Sequence, residues 1–294
     1  MSIITGILEQ GMIYAIMALG IYITYKILDF PDLTVDGSFP LGGAVTATLM
    51  VNGVNPYLTL PAAFLAGAAA GTITGIIHVK FKVRDLLSGI IMMTALYTVN
   101  LKIAGKANVP LFSVENIFDN GALSGIVPET VSPYQTVIIV LLILLAVKLL
   151  LDGYLKTKAG LRLRAVGDNP VLVTSLAKDS GKVKILGLAI ANGLVALAGG
   201  VLAQWQRVFD ITVGTGTMVI GLASVILGVS LCRFIPKIKV TFAVIIGSIL
   251  YRACVAAALQ LGFQVNDTKL ITAALLFIIL VISMDRKKKV KAHA

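Results

Sequence analysis

Charge is scarce in this chain, and acid is the scarcer sign: 14 Asp and Glu stand against 25 Lys and Arg in 294 residues. A soluble domain carries about a quarter of its residues as charge, whereas here the share is 13%. Water cannot be the solvent for most of this surface. Cysteine is nearly absent as well. Cys232 and Cys254 form no CxxC and sit in apolar stretches, which excludes a disulfide framework and a zinc finger and predicts packing roles for both. The two histidines, His78 and His293, belong to no HExxH, and no GxSxG exists, so zinc proteolysis and serine hydrolysis are excluded. Gly105-Lys106 and Gly181-Lys182 lack the upstream glycine and the following Ser or Thr of a phosphate loop. The chain is expected to hydrolyse no ATP alone and to bind no cofactor or metal.

Apolar residues supply 57% of the sequence, and the mean hydropathy is +0.95. They fall into long blocks, and a helix needs about 20 such residues to cross the hydrocarbon core. The blocks predict an all-α polytopic membrane protein with about nine transmembrane helices, at 3–26, 37–51, 57–79, 86–103, 133–151, 183–204, 217–232, 238–260 and 268–284. Residues 1–294 read as a single transmembrane domain. The first block has no basic flank or cleavage site before it and reads as a retained helix. Blocks 37–51 and 217–232 are short and rich in Gly, Ser and Thr, the pattern of broken or partly re-entrant helices beside a water-filled pathway.

Basic residues set the orientation. Nineteen of the 25 fall in alternate loops and the tail: Lys26; Lys80, Lys82 and Arg84; seven from Lys156 to Lys184; Arg233, Lys237 and Lys239; and five from Arg286 to Lys291. The positive-inside rule then puts the N-terminus outside and the C-terminus in the cytoplasm. Membrane topology accounts for the net charge of +11, so no nucleic-acid partner is expected, and the basic tail reads as an anchor at anionic lipid.

The sequence also repeats itself. Asp32-Leu33-Thr34-Val35 recurs as Asp210-Ile211-Thr212-Val213, and Pro56, Leu58, Ala63 and Gly67 match Pro236, Ile238, Ala243 and Gly247, at offsets of 178 and 180. The two short blocks are the second and seventh spans, so the copies run in opposite directions, as in an inverted repeat with the pathway between its halves. Polar residues on or beside the broken helices are the pathway candidates: Thr34, Asp36, Ser38, Asn192, Thr215 and Thr217. Gly67, Gly71 and Gly75 form overlapping GxxxG steps that predict close helix packing. Ionisable residues within spans are few. Glu9 and the Lys148, Asp152 pair are placed to snorkel or pair, while Arg252 either caps a carbonyl or faces the pathway. No acid or proton relay is expected near the midplane, which argues against an ion-coupled transporter.

The segment 156–182 is the most distinctive. It reads Gly160-Leu161-Arg162-Leu163-Arg164-Ala165-Val166-Gly167-Asp168-Asn169-Pro170, with Asn169 and Pro170 suited to open a short helix outside the membrane. A basic turn leading into such a helix suits docking onto an acidic soluble partner, and equally a loop that only sets topology. The run Arg164 to Pro170 resembles the coupling-helix motif of ATP-binding-cassette importer permeases of the branched-chain amino acid and ribose class. The opening stretch from Tyr22 to Gly43 is similar to the first helices of that class, in particular to the subgroup linked with tryptophan and other aromatic amino acids.

That resemblance implies a type II-like importer permease moving a small polar nutrient, an amino acid first and a sugar or nucleoside second. It implies two copies of a separate ATPase that holds ATP and magnesium, an extracytoplasmic substrate-binding protein, and a second permease subunit, a homodimer being the first expectation. Arg162, Arg164, Ala165, Val166, Gly167, Asp168, Asn169 and Pro170 would then dock in the ATPase cleft.

Overall fold

The computed structural model describes residues 3–119, 134–169, 179–232, 238–264 and 267–292. Helix α1 (Ile3–Ile21) runs on as a π-helical turn (Tyr22–Ile27), and α2 (Val35–Val51), α3 (Pro56–Phe81) and α4 (Asp85–Ala104) follow. Next come α5 (Gln135–Lys156), the short α6 (Lys158–Asp168) and α7 (Ser180–Gln206). A 3-10 turn (Ile211–Gly214) leads into α8 (Thr217–Cys232), then α9 (Val240–Gln260) and α10 (Thr268–Ala292). Nine of these helices fall on the nine predicted blocks. Seven helical segments among the described residues are long and apolar enough to cross a bilayer, one of them joining the 3-10 turn to α8. Helix α2, with 17 residues, and the apolar part of α10, Thr268–Val281, are shorter. Strand β1 (Asn108–Pro110) pairs antiparallel with β2 (Val208–Asp210) in a ribbon that hydropathy did not signal.

Helix α7 is the central post. In its apolar window 72% of residues are buried, against 28% in α4 and α5, whose outward faces carry bare leucines and isoleucines as a lipid-facing surface should. Small residues let the neighbours close on α7. A methyl group on Gly67, Gly71 or Gly75 would run into Asn192, Leu188 and Ile185 respectively. The GxxxG stripe therefore packs α3 onto α7, where van der Waals contact replaces the hydrophobic drive that lipid cannot supply.

The repeat is visible in three dimensions. Helices α1 to α4 recur as α7 to α10, and partners are exchanged as a two-fold relation requires: α3 lies on α7, and α9 lies on α1. Left-handed backbone positions recur too. Asp29 (φ 52°) and Arg207 (φ 55°) stand 178 residues apart, and Lys82 (φ 55°) matches Gly262 (φ 100°) at an offset of 180. Such a backbone is costly for a side-chain-bearing residue, so its repetition at the motif's own offsets marks a shared local design.

Two expectations about single residues are corrected. Cys254 is exposed on the outside of α9 and packs in no core; the side chain of Cys232 lies outside the described residues. Glu9 does not snorkel: it is fully buried, and its Oε2 accepts from Trp205 Nε1 at 3.0 Å.

Candidate functional site

The segment between the π-helical turn and α2 folds inward. Asp32 Oδ1 accepts from Thr34 N at 2.9 Å, an Asx turn that starts α2, and Asp32 Oδ2 accepts from Asn192 Nδ2 at 2.7 Å. Asn192 lies near the middle of the 27-residue α7 and also donates to Leu188 O at 3.1 Å. Its Oδ1 accepts from Ser38 Oγ at 2.8 Å, and the Thr34 hydroxyl pairs with that of Thr74 on α3 at 2.9 Å. All five side chains are buried. A buried polar network of this kind is rigid when satisfied and expensive when any member is removed.

Where breaks were expected, α2 and α8 are each short and continuous, and the second is held by the first. Asp36, in the first turn of α2, turns away from its own helix and caps α8. Its Oδ2 accepts from Gly216 N at 3.0 Å, and its Oδ1 accepts from Met218 N at 2.7 Å and Thr217 Oγ1 at 3.0 Å. A carboxylate placed at a helix start satisfies orphan amides and complements the positive end of the dipole. Contact is close: a methyl group on Gly214 would meet Asp36 O at 2.2 Å. Thus the two short helices are joined at their N-terminal ends.

Of the six predicted pathway residues, Thr34, Ser38 and Asn192 meet in the first cluster, and Asp36 and Thr217 in the second. Thr215 joins neither. It is exposed, and its amide donates to Thr212 O at 3.0 Å. Sequence reasoning missed Thr74 and, more seriously, Asp32. The expectation of no acid near the midplane is overturned: Asp32 falls between the predicted blocks 3–26 and 37–51, yet it sits against the middle of α7. The signal was available, since Asp32 opens the repeated Asp-hydrophobic-Thr-Val motif. The Arg252 guanidinium lies 3.8 Å from the centre of the Tyr14 ring, a cation–π contact absent from the sequence reading, and that ring stacks on Phe39 at 5.9 Å.

The segment expected to be a basic turn is itself a helix. Helix α6 starts at Thr157, whose hydroxyl accepts from Gly160 N at 3.3 Å, and Asn169 closes it by donating its amide to Ala165 O at 2.9 Å. The helix that Pro170 was expected to open lies outside the described residues. Helix α6 has two faces. Gly160, Leu163 and Val166 are buried, and a methyl group on Gly167 would meet Ile27 O at 1.7 Å, so this face rests on the end of the π-helical turn and on α7. Arg162, Arg164, Ala165, Asp168 and Asn169 are exposed on the other.

Asp179, which lies outside the membrane-spanning helices and caps α7 by accepting from Lys182 N at 3.1 Å, has its carboxyl held below the usual range, chiefly by that bond. Among the described residues no group of His, Cys, Asp or Glu could hold a metal ion.

The architecture agrees with comparisons against known proteins. The family model described as the branched-chain amino acid transport system permease component matches residues 3–282. The chain is 45% identical to a tyrosine transport system permease protein of Clostridioides difficile, over 93% of this chain and 88% of that one. It is 28% identical to a probable branched-chain amino acid transport permease protein LivH of Methanocaldococcus jannaschii, over 73% and 70% of the two chains. It is 29% identical to the ribose import permease protein RbsC of Escherichia coli K12, over 76% and 68%. No solved structure matches. Membership implies an ATPase and a substrate-binding protein as partners. A multi-pass helical chain with two short helices joined at their starts and a further short helix outside its spans, matched by this model over nearly its whole length, belongs to the branched-chain amino acid transport system permease family, as the non-enzymatic membrane subunit of an ATP-binding-cassette transporter.

Proposed function

We propose that this chain is the permease of a bacterial importer for an aromatic amino acid, tyrosine before tryptophan or phenylalanine. The observation that carries this reading is the 45% identity, over 93% of the chain, to a tyrosine transport system permease protein. Two copies of the permease assemble with two ATPase subunits, which hold ATP and magnesium, and receive substrate from an extracytoplasmic binding protein. The N-terminus is outside and the C-terminus cytoplasmic, as the distribution of Lys and Arg argues.

The exposed face of α6 is the docking surface for the ATPase, with Arg162, Arg164, Ala165, Asp168 and Asn169 forming it, and Pro170 continuing it beyond the described residues. Val166 and Gly167 act from behind, holding α6 on the π-helical turn. ATPase closure then shifts that turn and the short helix that follows it, and access alternates. The pathway runs beside the joined starts of α2 and α8, with Thr215 facing it, Asp36 and Thr217 tying its two walls, and Thr34, Ser38 and Asn192 fixing the first wall.

Reconstitution with the ATPase and binding protein tests this. Labelled tyrosine should enter vesicles only with ATP, and unlabelled tryptophan or phenylalanine should compete while ribose and leucine do not. Competition by ribose or leucine alone would replace the substrate; uptake driven by a sodium gradient without the ATPase would replace the mechanism. Arg162→Glu should reduce ATPase co-purification by about 5- to 150-fold, the loss of roughly 1–3 kcal/mol at a contact, while leaving the permease folded. Unchanged co-purification and uptake would reduce the exposed face of α6 to a topological anchor.

A further inference from the structure

At the membrane face where the basic loops gather, α5, α6, the π-helical turn and the start of α9 enclose a cavity of about 270 Å³, lined by Tyr22, Asp152, Leu155, Lys156, Arg164 and the Lys239–Thr241 corner. Three cations from three different elements face it: Lys156, Arg164 and Lys239. The acid in its wall is already engaged. Asp152 accepts from Lys148 at 3.1 Å and from Thr241 Oγ1 at 2.7 Å, and Lys239 approaches it at 3.6 Å. Among the described residues neither Lys156 nor Arg164 has an ion-pair partner. The cavity therefore has more positive charge than its walls neutralise.

The approach to it is apolar. Leu145, Leu149, Gly153 and Lys156 follow one another at steps of three or four along α5, so they share a face. Leu145 and Leu149 are 42% and 66% exposed, and Gly153 is exposed with nothing within 4 Å of the position its Cβ would take. A greasy, unobstructed stripe thus descends through the hydrocarbon region and ends at the cationic cavity. An aqueous anion requires no such stripe. A molecule with a negative headgroup and acyl chains matches both parts, and basic pockets between helices at an interface are known to take anionic headgroups.

We infer that this cavity binds the headgroup of an anionic phospholipid, whose phosphate bridges Lys156 on α5 and Lys239 at the start of α9 while an acyl chain lies along Leu149 and Leu145. The inference rests on the chain's place in the membrane and on no part of the transport reading.

Native mass spectrometry of the purified full-length chain, delipidated and titrated with phosphatidylglycerol or phosphatidylcholine, tests it. One phosphatidylglycerol should be retained in preference to phosphatidylcholine. Its affinity should fall about 5-fold for Lys156→Gln or Lys239→Gln and about 25-fold for the pair, as expected for basic side chains at an anionic headgroup. Both lysines are exposed, Lys239 to 62%, and Asp152 keeps Lys148 and Thr241 when Lys239 is lost, so the variants should remain folded. Lys80→Gln with Lys82→Gln, on the same membrane face but outside the cavity, should leave retention unchanged. Equal retention of both lipids, or equal loss in the Lys80, Lys82 control, would overturn the site. Inorganic phosphate displacing phosphatidylglycerol at matched concentration would overturn the lipid as its ligand.

Discussion

The entrances to the two short helices, α2 and α8, begin from the same words and end in different structures. In both, a residue with positive φ, Asp29 or Arg207, precedes an Asp whose Oδ1 accepts from the amide two residues on, at 2.9 Å for Asp32 and 2.8 Å for Asp210. The first entrance then closes over its carboxylate, because Asn192 supplies a second partner from the central helix. At the second, 178 residues earlier than Asn192, the matching position on α1 is Tyr14, which offers a ring to Arg252 and Phe39. Asp210 stays at the protein surface in the β-ribbon, and α8 borrows its cap from Asp36. The first entrance is self-sufficient and the second depends on it. Duplication supplied the turn, and the surrounding helices decided what each copy does.

Breaking the first entrance should have the largest effect. Asn192→Leu strips a partner from both Asp32 and Ser38 in a buried site, and the purified chain should lose about 3 kcal/mol or more, read as a large drop in its thermal midpoint in detergent together with loss of uptake. A variant as stable as the parent would show that the network is incidental. Removing the link between entrances comes next. Asp36→Ala frees the Gly216 and Met218 amides and should cost about 1–2 kcal/mol, in the range of a lost helix cap. Hydrogen exchange should rise across 214–220 while 30–35 stays protected; equal loosening of both would mean that the entrances form one unit. The smallest effect belongs to Asp210→Ala, which removes a turn at the surface and should cost under about 1 kcal/mol, with faster exchange confined to 211–214. If it matched Asn192→Leu, the asymmetry argued here would fail.

Helix α6 illustrates why part of the site was legible and part was not. Its composition and motif were plain in the sequence, and the structure leaves Arg162 and Ala165 exposed. Gly167 read as one more member of a docking surface, yet its Cα faces the carbonyl of Ile27, a residue 140 positions earlier. A bulky substitution there tests packing before it tests docking. Arg252 stands out in the sequence as a charge within an apolar run, but only the neighbouring α1 reveals that an aromatic face receives it.

The sequence by itself determined the membrane class, the positions of the apolar helices among the described residues and the family, because hydropathy and short motifs are local properties. It also marked the stripe of Gly67, Gly71 and Gly75. Only the tertiary structure decided that this stripe presses against Asn192, that Asn192 meets Asp32 across 160 positions, and that Asp36 caps a helix 180 positions away. A buried carboxylate or an orphan amide takes whichever partner packing delivers within hydrogen-bond reach, and that choice is made by helices meeting, which no local pattern encodes.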